Sequence, residues 1–409
     1  MKFEFRRAMH LVAGTIVSLV SVMSAMGQAG PQRLADIDPQ AKPLMAEQVF
    51  KNVQLLKGIS VKEFMEAMGF FAAATNKTCT TCHGDASAGS WERYADDPPQ
   101  KQTARKMMLM VDALNRTYFG GKREVTCYSC HRNAERPRIT PILAEQYGVP
   151  AAEDPEEIDT QAPGQPTPDQ VLDKYVQALG GAQKLAAFTS FTAKGTYQGY
   201  DDPAKSPVEI YAKAPSQFSQ VVHGAAGTNS WVDDGRSVWV AQSELETPVP
   251  LLTLTSGDLD GAHVESELYF PAQIKKLFSN LRVGYPISGV VSILPNTDAG
   301  VGVDERELTV LEGNTAAGTK VKLYFDPTSG LLVRMVRFTN LPVGLIPTEI
   351  DYSDYRDVSG VKIPFRVNKT WVDGRSVTEL SSIQINASID GGKFAKPMPP
   401  APPKSVAVR

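Results

Sequence analysis

Apolar positions recur at two different periods along the chain, and the change of period divides it. The chain opens on Lys2, Arg6 and Arg7. An uncharged apolar run then extends from Leu11 to Met26, and small residues follow at Ala25, Gly27, Ala29 and Gly30. A basic head, apolar middle and small-residue end is the pattern of an export signal. Residues 1–29 are therefore expected to be a signal peptide cleaved near Ala29, with an uncleaved membrane anchor as the alternative. Helical spacing follows. Ser60-Val61-Lys62-Glu63 is a capping box, and Phe64, Met68 and Phe71 recur behind it with Met65 alongside. A second helix is expected from Asp97-Pro98 through Met107, Met110 and Leu114 to Gly120-Gly121.

Between residues 133 and 168 the period disappears. Prolines crowd there, from Pro137 to Pro168, around the acidic stretch Glu153-Asp154-Pro155-Glu156-Glu157. Such a segment is extended and solvated, so it reads as a linker. One more helix follows, capped by Thr167-Pro168-Asp169-Gln170, carrying Leu172, Tyr175, Val176 and Leu179, and stopped by Gly180-Gly181. Beyond it the runs become short and β-like: Val208–Ala212, Trp231–Asp233, Val238–Ala241, Lys320–Phe325, Leu332–Phe338 and Arg366–Val372. Asp234-Gly235 and Asp373-Gly374 are hairpin turn signals, and Asp326-Pro327-Thr328-Ser329-Gly330 is a further turn. The expected fold class is α+β in two domains. An all-α domain covers 30–140, a Pro-rich acidic linker 141–166, and a mostly antiparallel, curved β domain with a leading helix 167–396. A Pro-rich tail closes the chain over 397–409.

Length and charge refine this division. The 409 residues are too many for one ordinary domain, and 42% hydrophobic with 21% charged residues is a globular composition. A formal net charge of −3 excludes a strongly basic nucleic-acid binder. The balance is uneven, however. Residues 31–140 carry 16 basic and 12 acidic side chains, against 42 and 45 in the whole chain, so the later part is acidic.

All four Cys lie in the first domain, as Cys79-Thr80-Thr81-Cys82-His83 and Cys127-Tyr128-Ser129-Cys130-His131. Both are the Cys-x-x-Cys-His pattern of haem c attachment. Two thiols that add to the two vinyl groups of one haem must sit one helical turn apart, and the next residue is then held beneath the iron, where an imidazole can ligate it. Structural disulfides would suit an exported chain but need no His after each pair. A zinc site uses paired Cys, but an adjacent His rarely reaches the same ion. A thiol-redox pair would occur once, near a βαβ pattern. The residues thus predict two haem c groups, with Cys79, Cys82, Cys127 and Cys130 as thioether attachments and His83 and His131 as proximal iron ligands. For the distal positions the sequence offers Met65 and Met68 before the first motif and Met107, Met108 and Met110 before the second. Of the remaining His, His10 lies in the leader and His223 and His263 in the second domain. The motifs are 48 residues apart, and each follows a Met-bearing helix and a turn, so the unit is an internal repeat with approximate two-fold symmetry expected between its copies.

These residues resemble a known family. Phe64-Met65-Glu66-Ala67-Met68 with Cys79-Thr80-Thr81-Cys82-His83-Gly84 is similar to the first haem unit of photosynthetic reaction-centre cytochrome c subunits. The run from Ala104 to Asn115 and the run Val125-Thr126-Cys127-Tyr128-Ser129-Cys130-His131-Arg132 are similar to the next unit. The resemblance covers roughly residues 45–140. It implies haem binding on the periplasmic side of a membrane and electron transfer to a photo-oxidised donor, with Met68 and Met107 as the distal ligands. The chain departs from the family's four-haem form by having only two motifs. The second domain more weakly resembles periplasmic lipoprotein-carrier half-barrels. The shared features are its leading helix ending in Gly-Gly, the run Leu323–Leu331, and Tyr352–Phe365 with Gly360-Val361-Lys362-Ile363-Pro364-Phe365. That resemblance implies a curved sheet around an apolar cavity and an apolar ligand within it.

The expectation is an exported, periplasmic dihaem c-type cytochrome, with membrane association left open. It would be an electron-transfer protein rather than an enzyme. Its partners would be redox proteins such as a membrane reaction centre or a respiratory complex, and not nucleic acid. The alternative is a lipid- or hydrophobic-ligand-binding module in which the haems serve as sensor or accessory. Lys122, Arg123, Arg132, Arg136 and Arg138 cluster around the second motif and would pair haem propionates, with steering of an acidic partner as the alternative.

Overall fold

A computed structural model describes residues 43–84, 91–137, 139–141, 143, 157–199, 204–225, 227–243, 247, 249–293 and 303–399. The expected signal peptide, most of the linker and the end of the tail lie outside these residues, as does Arg138.

The architecture is α+β, with helices first and a large antiparallel sheet after them. The helical layer holds α1 (Ala46–Val49), α2 (Val61–Thr75), α3 (Cys79–His83), α4 (Pro99–Tyr118) and α5 (Cys127–His131). The capping box at the head of α2 forms in both directions: Ser60 Oγ accepts from the Glu63 amide, and the Glu63 carboxylate accepts from the Ser60 amide. Asn76 closes the helix in the left-handed conformation. α4 starts one residue later than the Asp97-Pro98 signal suggests. Pro98 precedes Pro99, and a residue before proline is held extended, so Pro98 caps the helix and Pro99 opens it. Gly120 and Gly121, both at positive φ, stop the chain near the predicted place.

The leading helix of the second part, α6 (Pro168–Ala178), carries its expected Thr167–Gln170 capping box. A short α7 (Ala182–Ala187) follows. Fourteen strands then form one open antiparallel arrangement among the described residues. The order is β6-β5-β4-β3-β2-β1-β14-β13-β12-β11-β10-β9-β7, and β8 pairs with β9. One flank comprises β1 (Ser190–Gln198), β2 (Ser206–Lys213), β3 (Gln217–Gly224), β4 (Gly227–Asp233), β5 (Val238–Ala241) and β6 (Leu251–Thr253). The other comprises β7 (Ser279–Val283), β8 (Ile287–Ile293), β9 (Val303–Asn314), β10 (Lys320–Phe325), β11 (Leu332–Leu341), β12 (Gly344–Val358), β13 (Val361–Trp371) and β14 (Gly374–Ile385). Asp234-Gly235 joins β4 to β5, and Asp373-Gly374 turns β13 into β14 with Trp371 opposite Gly374. Period-two alternation sets the faces: Val208, Ile210 and Ala212 of β2 and Ile346, Ile350 and Tyr352 of β12 point into the core.

α6 and α7 cover one end of that core through Leu172, Tyr175, Leu179 and Leu185. Another helix, α8 (Ser256–Glu267), packs against β11, β3 and β4, and no apolar period announces it. It buries Asp258, Gly261, Ala262, Val264 and Ser266, mostly small or polar residues. The helical layer reaches the sheet through α2. Phe70 packs on Leu341 and Ile346, at the β11–β12 hairpin, with Phe71, Cys127, Val343 and Val372 around them. Burying one such Phe contributes about 1.5–3 kcal/mol. Arg123 adds a hydrogen bond of 2.5 Å to Asn340 Oδ1.

Candidate functional site

The two Cys-x-x-Cys-His segments each fold into one short helix, with Cys at its first and fourth positions and His at its fifth. Residues three apart on a helix share a face, so both thiols of each pair point the same way. The turn at α5 is braced by a capping box between Thr126 and Ser129. All four thiols are free; Cys79 and Cys130 are exposed, and Cys82 and Cys127 half-buried. Burial pushes the Cys82 and Cys127 thiols up, so both are protonated at neutral pH.

Both histidines are held by the same device. His83 Nδ1 lies 3.2 Å from the Tyr94 carbonyl oxygen, and His131 Nδ1 lies 3.0 Å from the Ala134 carbonyl oxygen. A carbonyl only accepts, so Nδ1 carries the proton and donates in each case, which leaves the Nε2 lone pair for a metal. Burial, and then the neighbouring Lys101, hold His83 below its ordinary value, favouring the neutral ring that can ligate. Lys101 donates to the same Tyr94 carbonyl at 2.6 Å and to that of Asp96 at 2.7 Å, fixing the loop over His83. The Tyr94 ring itself lies 4.9 Å from the imidazole, centroid to centroid.

The methionines lie on the two longer helices. Met65 and Met68 are three apart on α2, and Met107 and Met110 three apart on α4; Met65, Met107 and Met110 are exposed, and Met68 and Met108 half-buried. α4 buries only Asn115 among its twenty residues while presenting Met107, Leu109 and Met110 at its surface. An amphipathic helix of that length whose apolar side chains stay uncovered needs a partner there, and large flat rings would supply one. The contacts between units are reciprocal: α2 packs against α5, and α3 against α4. Such crossed packing is what an approximate two-fold relation between repeated units produces. Lys77 Nζ, after α2, also pairs with Glu135 Oε1, after α5, at 2.8 Å. Among the described residues no three or more His, Cys, Asp or Glu converge into a bare-ion site.

Residues 18–163 match the family model for the photosynthetic reaction centre cytochrome c subunit. Over this stretch the chain is similar to reaction-centre cytochromes. It is 35% identical over 97 residues to the photosynthetic reaction center cytochrome c subunit of Thermochromatium tepidum, covering 23% of each chain. It is 36% identical over 98 residues to that of Rubrivivax gelatinosus, covering 23% of this chain and 25% of the relative. The chain thus spans about a quarter of the length of these curated relatives. Among solved structures it is similar to a LolA superfamily protein from Nitrosomonas europaea, with TM-score 0.35 and 14% identity over 57% of this chain and 99% of that one. A DUF1329 family protein from Desulfovibrio piger gives TM-score 0.37 and 8% identity over 56% and 98%. At scores of this size the architecture of the second part rests on its own strand order.

Asn115 is a site residue that the motif reading passes over. Its Oδ1 accepts from the amides of Glu124 and Val125 at 3.1 and 3.0 Å, and its Nδ2 donates to the Val125 carbonyl at 2.8 Å. It clamps the loop that delivers Cys127. Its one sequence signal is an Asn in the last turn of a helix, where its side chain competes for backbone partners. The Tyr94 and Ala134 carbonyls leave no side-chain signal at all. Of the basic cluster near the second motif, Arg123 is spent on Asn340, whereas Lys122, Arg132 and Arg136 are exposed. His223 is exposed near Thr228, and His263 pairs with Asp233, each away from the Cys-x-x-Cys-His turns. No helix among the described residues is long and apolar enough to cross a membrane, and the run Leu11–Met26 lies outside them.

Proposed function

We propose that the chain is an exported, periplasmic dihaem c-type cytochrome that passes electrons between redox proteins. The observation that supports this best is the repeated histidine geometry. In both turns a free thiol pair is followed by an imidazole whose Nδ1 is tied to a backbone carbonyl and whose Nε2 is open. Haem c, when attached, supplies an iron that alternates between ferric and ferrous states without making or breaking a substrate bond.

The chain's own residues do the rest. Cys79 with Cys82, and Cys127 with Cys130, are assigned the thioether bonds. His83 and His131 are assigned the proximal positions, and Met68 and Met107 the distal ones. A thioether in the distal position raises the reduction potential and suits a carrier. The exposed apolar side chains of α2 and α4 would exclude water from the rings. Lys122, Arg132 and Arg136 would pair with propionates near the second turn. A membrane reaction centre or a respiratory complex is the proposed class of partner. The motif count, two rather than four, leaves either on the same footing.

An optical spectrum of the exported protein, oxidised and reduced, with a pyridine haemochrome assay, tests the reading. Two c-type haems per chain and the weak long-wavelength band of Met–Fe(III) bonding are expected. One haem or none would remove the cofactor assignment, and a high-spin spectrum would remove the distal methionines.

A further inference from the structure

The β11–β12 hairpin ends in the two-residue turn Pro342-Val343, with Leu341 opposite Gly344. Its inner face is apolar and covered: Leu341 and Ile346 are buried against Phe70 of α2, and Val343 and Val372 pack on them. Cys127 packs on the same cluster, so the first thiol of the second Cys-x-x-Cys-His turn lies against a surface that the sheet helps to build. Two further contacts bring hairpin and turn together. Arg123 Nη1 donates to Asn340 Oδ1 at 2.5 Å. Gly344 comes so close that a Cβ there would lie 3.2 Å from both Phe70 Cζ and Thr126 Cγ2. Arg123, Thr126 and Cys127, the segment leading into α5, thus meet the hairpin or the cluster it builds.

The first turn is held by the helical layer. α3 packs on α4 and on the short turn Trp91–Ala95, His83 is tied to the Tyr94 carbonyl, and Lys101 fixes the same loop. At Cys82 burial raises the thiol while Lys77 and Lys101 oppose it; at Cys127 burial raises it, opposed chiefly by a backbone hydrogen bond. The repeat therefore sets two turns of one chemistry in unlike surroundings, with cations beside the first and an apolar wall beside the second. An apolar shell controls the access of water to a metal group and so its potential, because water stabilises the more highly charged ferric form.

We propose that the β11–β12 hairpin walls the second haem site, and that Val343 at its tip keeps water from that haem and so raises its potential, while the first haem is governed by the helical layer. This rests on the haem reading above and adds that the second domain tunes one haem of the pair. Unlike surroundings would give electron transfer between the two haems a direction.

Redox titration of the full chain tests this, after a pyridine haemochrome count of the unaltered protein. Val343→Asp sets a carboxylate at the tip of the wall, which favours ferric iron. One haem should become about tenfold more oxidised at a fixed applied potential, equal to about 59 mV for a one-electron couple, and the other should stay where it was. Val343→Thr, of nearly the same shape, should move the same haem in the same direction by less. Leu345→Asp puts the same charge on the exposed outer face of the hairpin, where water and salt screen it, and should change neither ratio by more than about twofold. In Cys79→Ala/Cys82→Ala, which keeps only the second attachment turn, the shift from Val343→Asp should persist; in Cys127→Ala/Cys130→Ala it should vanish. Equal shifts at both haems, no shift in either Val343 variant, an equal shift from Leu345→Asp, or a shift that survives loss of the second turn would each overturn the proposal and leave the haem reading standing. A count of one haem or none in the unaltered chain would overturn both. If Val343→Asp fails to fold, Val343→Thr decides; if the single-turn chains do, the selectivity between haems in the two-haem chain decides.

Discussion

Asn115 offers the sharpest test of how the helical layer organises its second motif. The side chain makes three hydrogen bonds to the backbone of Glu124 and Val125, two residues ahead of Cys127. Asn115→Ala removes all three. At about 1 kcal/mol net for each bond, and less where the Glu124 amide can turn to water, the loss is about 2–3 kcal/mol. For a helical unit of about 100 residues that corresponds to a fall in Tm of roughly 8–24 °C. Asn115→Asp should fall between, because it keeps the two accepting bonds and sets a carboxylate oxygen against the Val125 carbonyl. The effect should also be local. The side-chain hydrogen bonds of Asn115 go to the loop ahead of Cys127, so potentiometric titration should show one haem shifted or heterogeneous and the other unchanged. A melting temperature within about 1 °C of the unaltered protein, or equal shifts at both haems, would refute the clamp.

Three further outcomes follow from the same structure. Met68→His and Met107→His should each lower one haem potential, read by potentiometry, and unchanged potentials in both variants would remove the distal assignments. Gly180→Ala should destabilise by roughly 3 kcal/mol or more, because φ is +126° and the new Cβ would lie 2.2 Å from the Gly360 carbonyl oxygen. Gly181→Ala, at φ +91° with its nearest neighbour 3.5 Å away at the Gln177 side chain, should cost only the strain, about 1–2 kcal/mol; denaturant titration separates the two. His263 titrates above its ordinary value, chiefly through its 2.9 Å hydrogen bond to buried Asp233. A raised folded-state value means that the pair's stabilisation is complete below about pH 6.5 and is lost as pH rises through the folded value. Unfolding free energy should therefore fall between neutral and mildly alkaline pH, and His263→Gln should flatten that slope.

What the sequence made legible was whatever rests on local rules. The Ser60 and Thr167 capping boxes, the Gly stops after α4 and α6, and the three hairpin turns appear where the residues place them, because each is settled within a few positions of the chain. The Cys-x-x-Cys-His turns are legible for the same reason, since their chemistry fixes the spacing. α8 shows the opposite case. Its Asp258 is buried, and its Glu265 accepts from Arg337 and Lys369, 72 and 104 residues later in the chain. Charged residues that are satisfied only by distant partners leave no period for a sequence to display.

The same logic explains why α2 carries more than its pattern suggests. Its pattern shows Phe64, Met68 and Phe71 at helical spacing with Met65 alongside. Lys62 and Glu66 stand one turn apart on the same helix. In the fold that pair is largely covered and lies over the sheet's cavity beside Asp258 and Arg337, whose charges act on both members. Burial dominates at Glu265 too, pushing its carboxyl up, but Lys369 and Arg337 together outweigh it and hold the group below its ordinary value. By the sign of that shift the network's stabilisation is present above about pH 4.3 and is lost as pH falls through the lower folded value. A helix that carries Met65 and Met68 and also one end of an ionic network couples the two layers mechanically. The Lys62–Glu66 pair lies within α2, so it moves with the helix, and it feels the sheet only through the charges of Asp258 and Arg337. The register of α2 on the sheet is therefore set by Phe70 against Leu341 and Ile346.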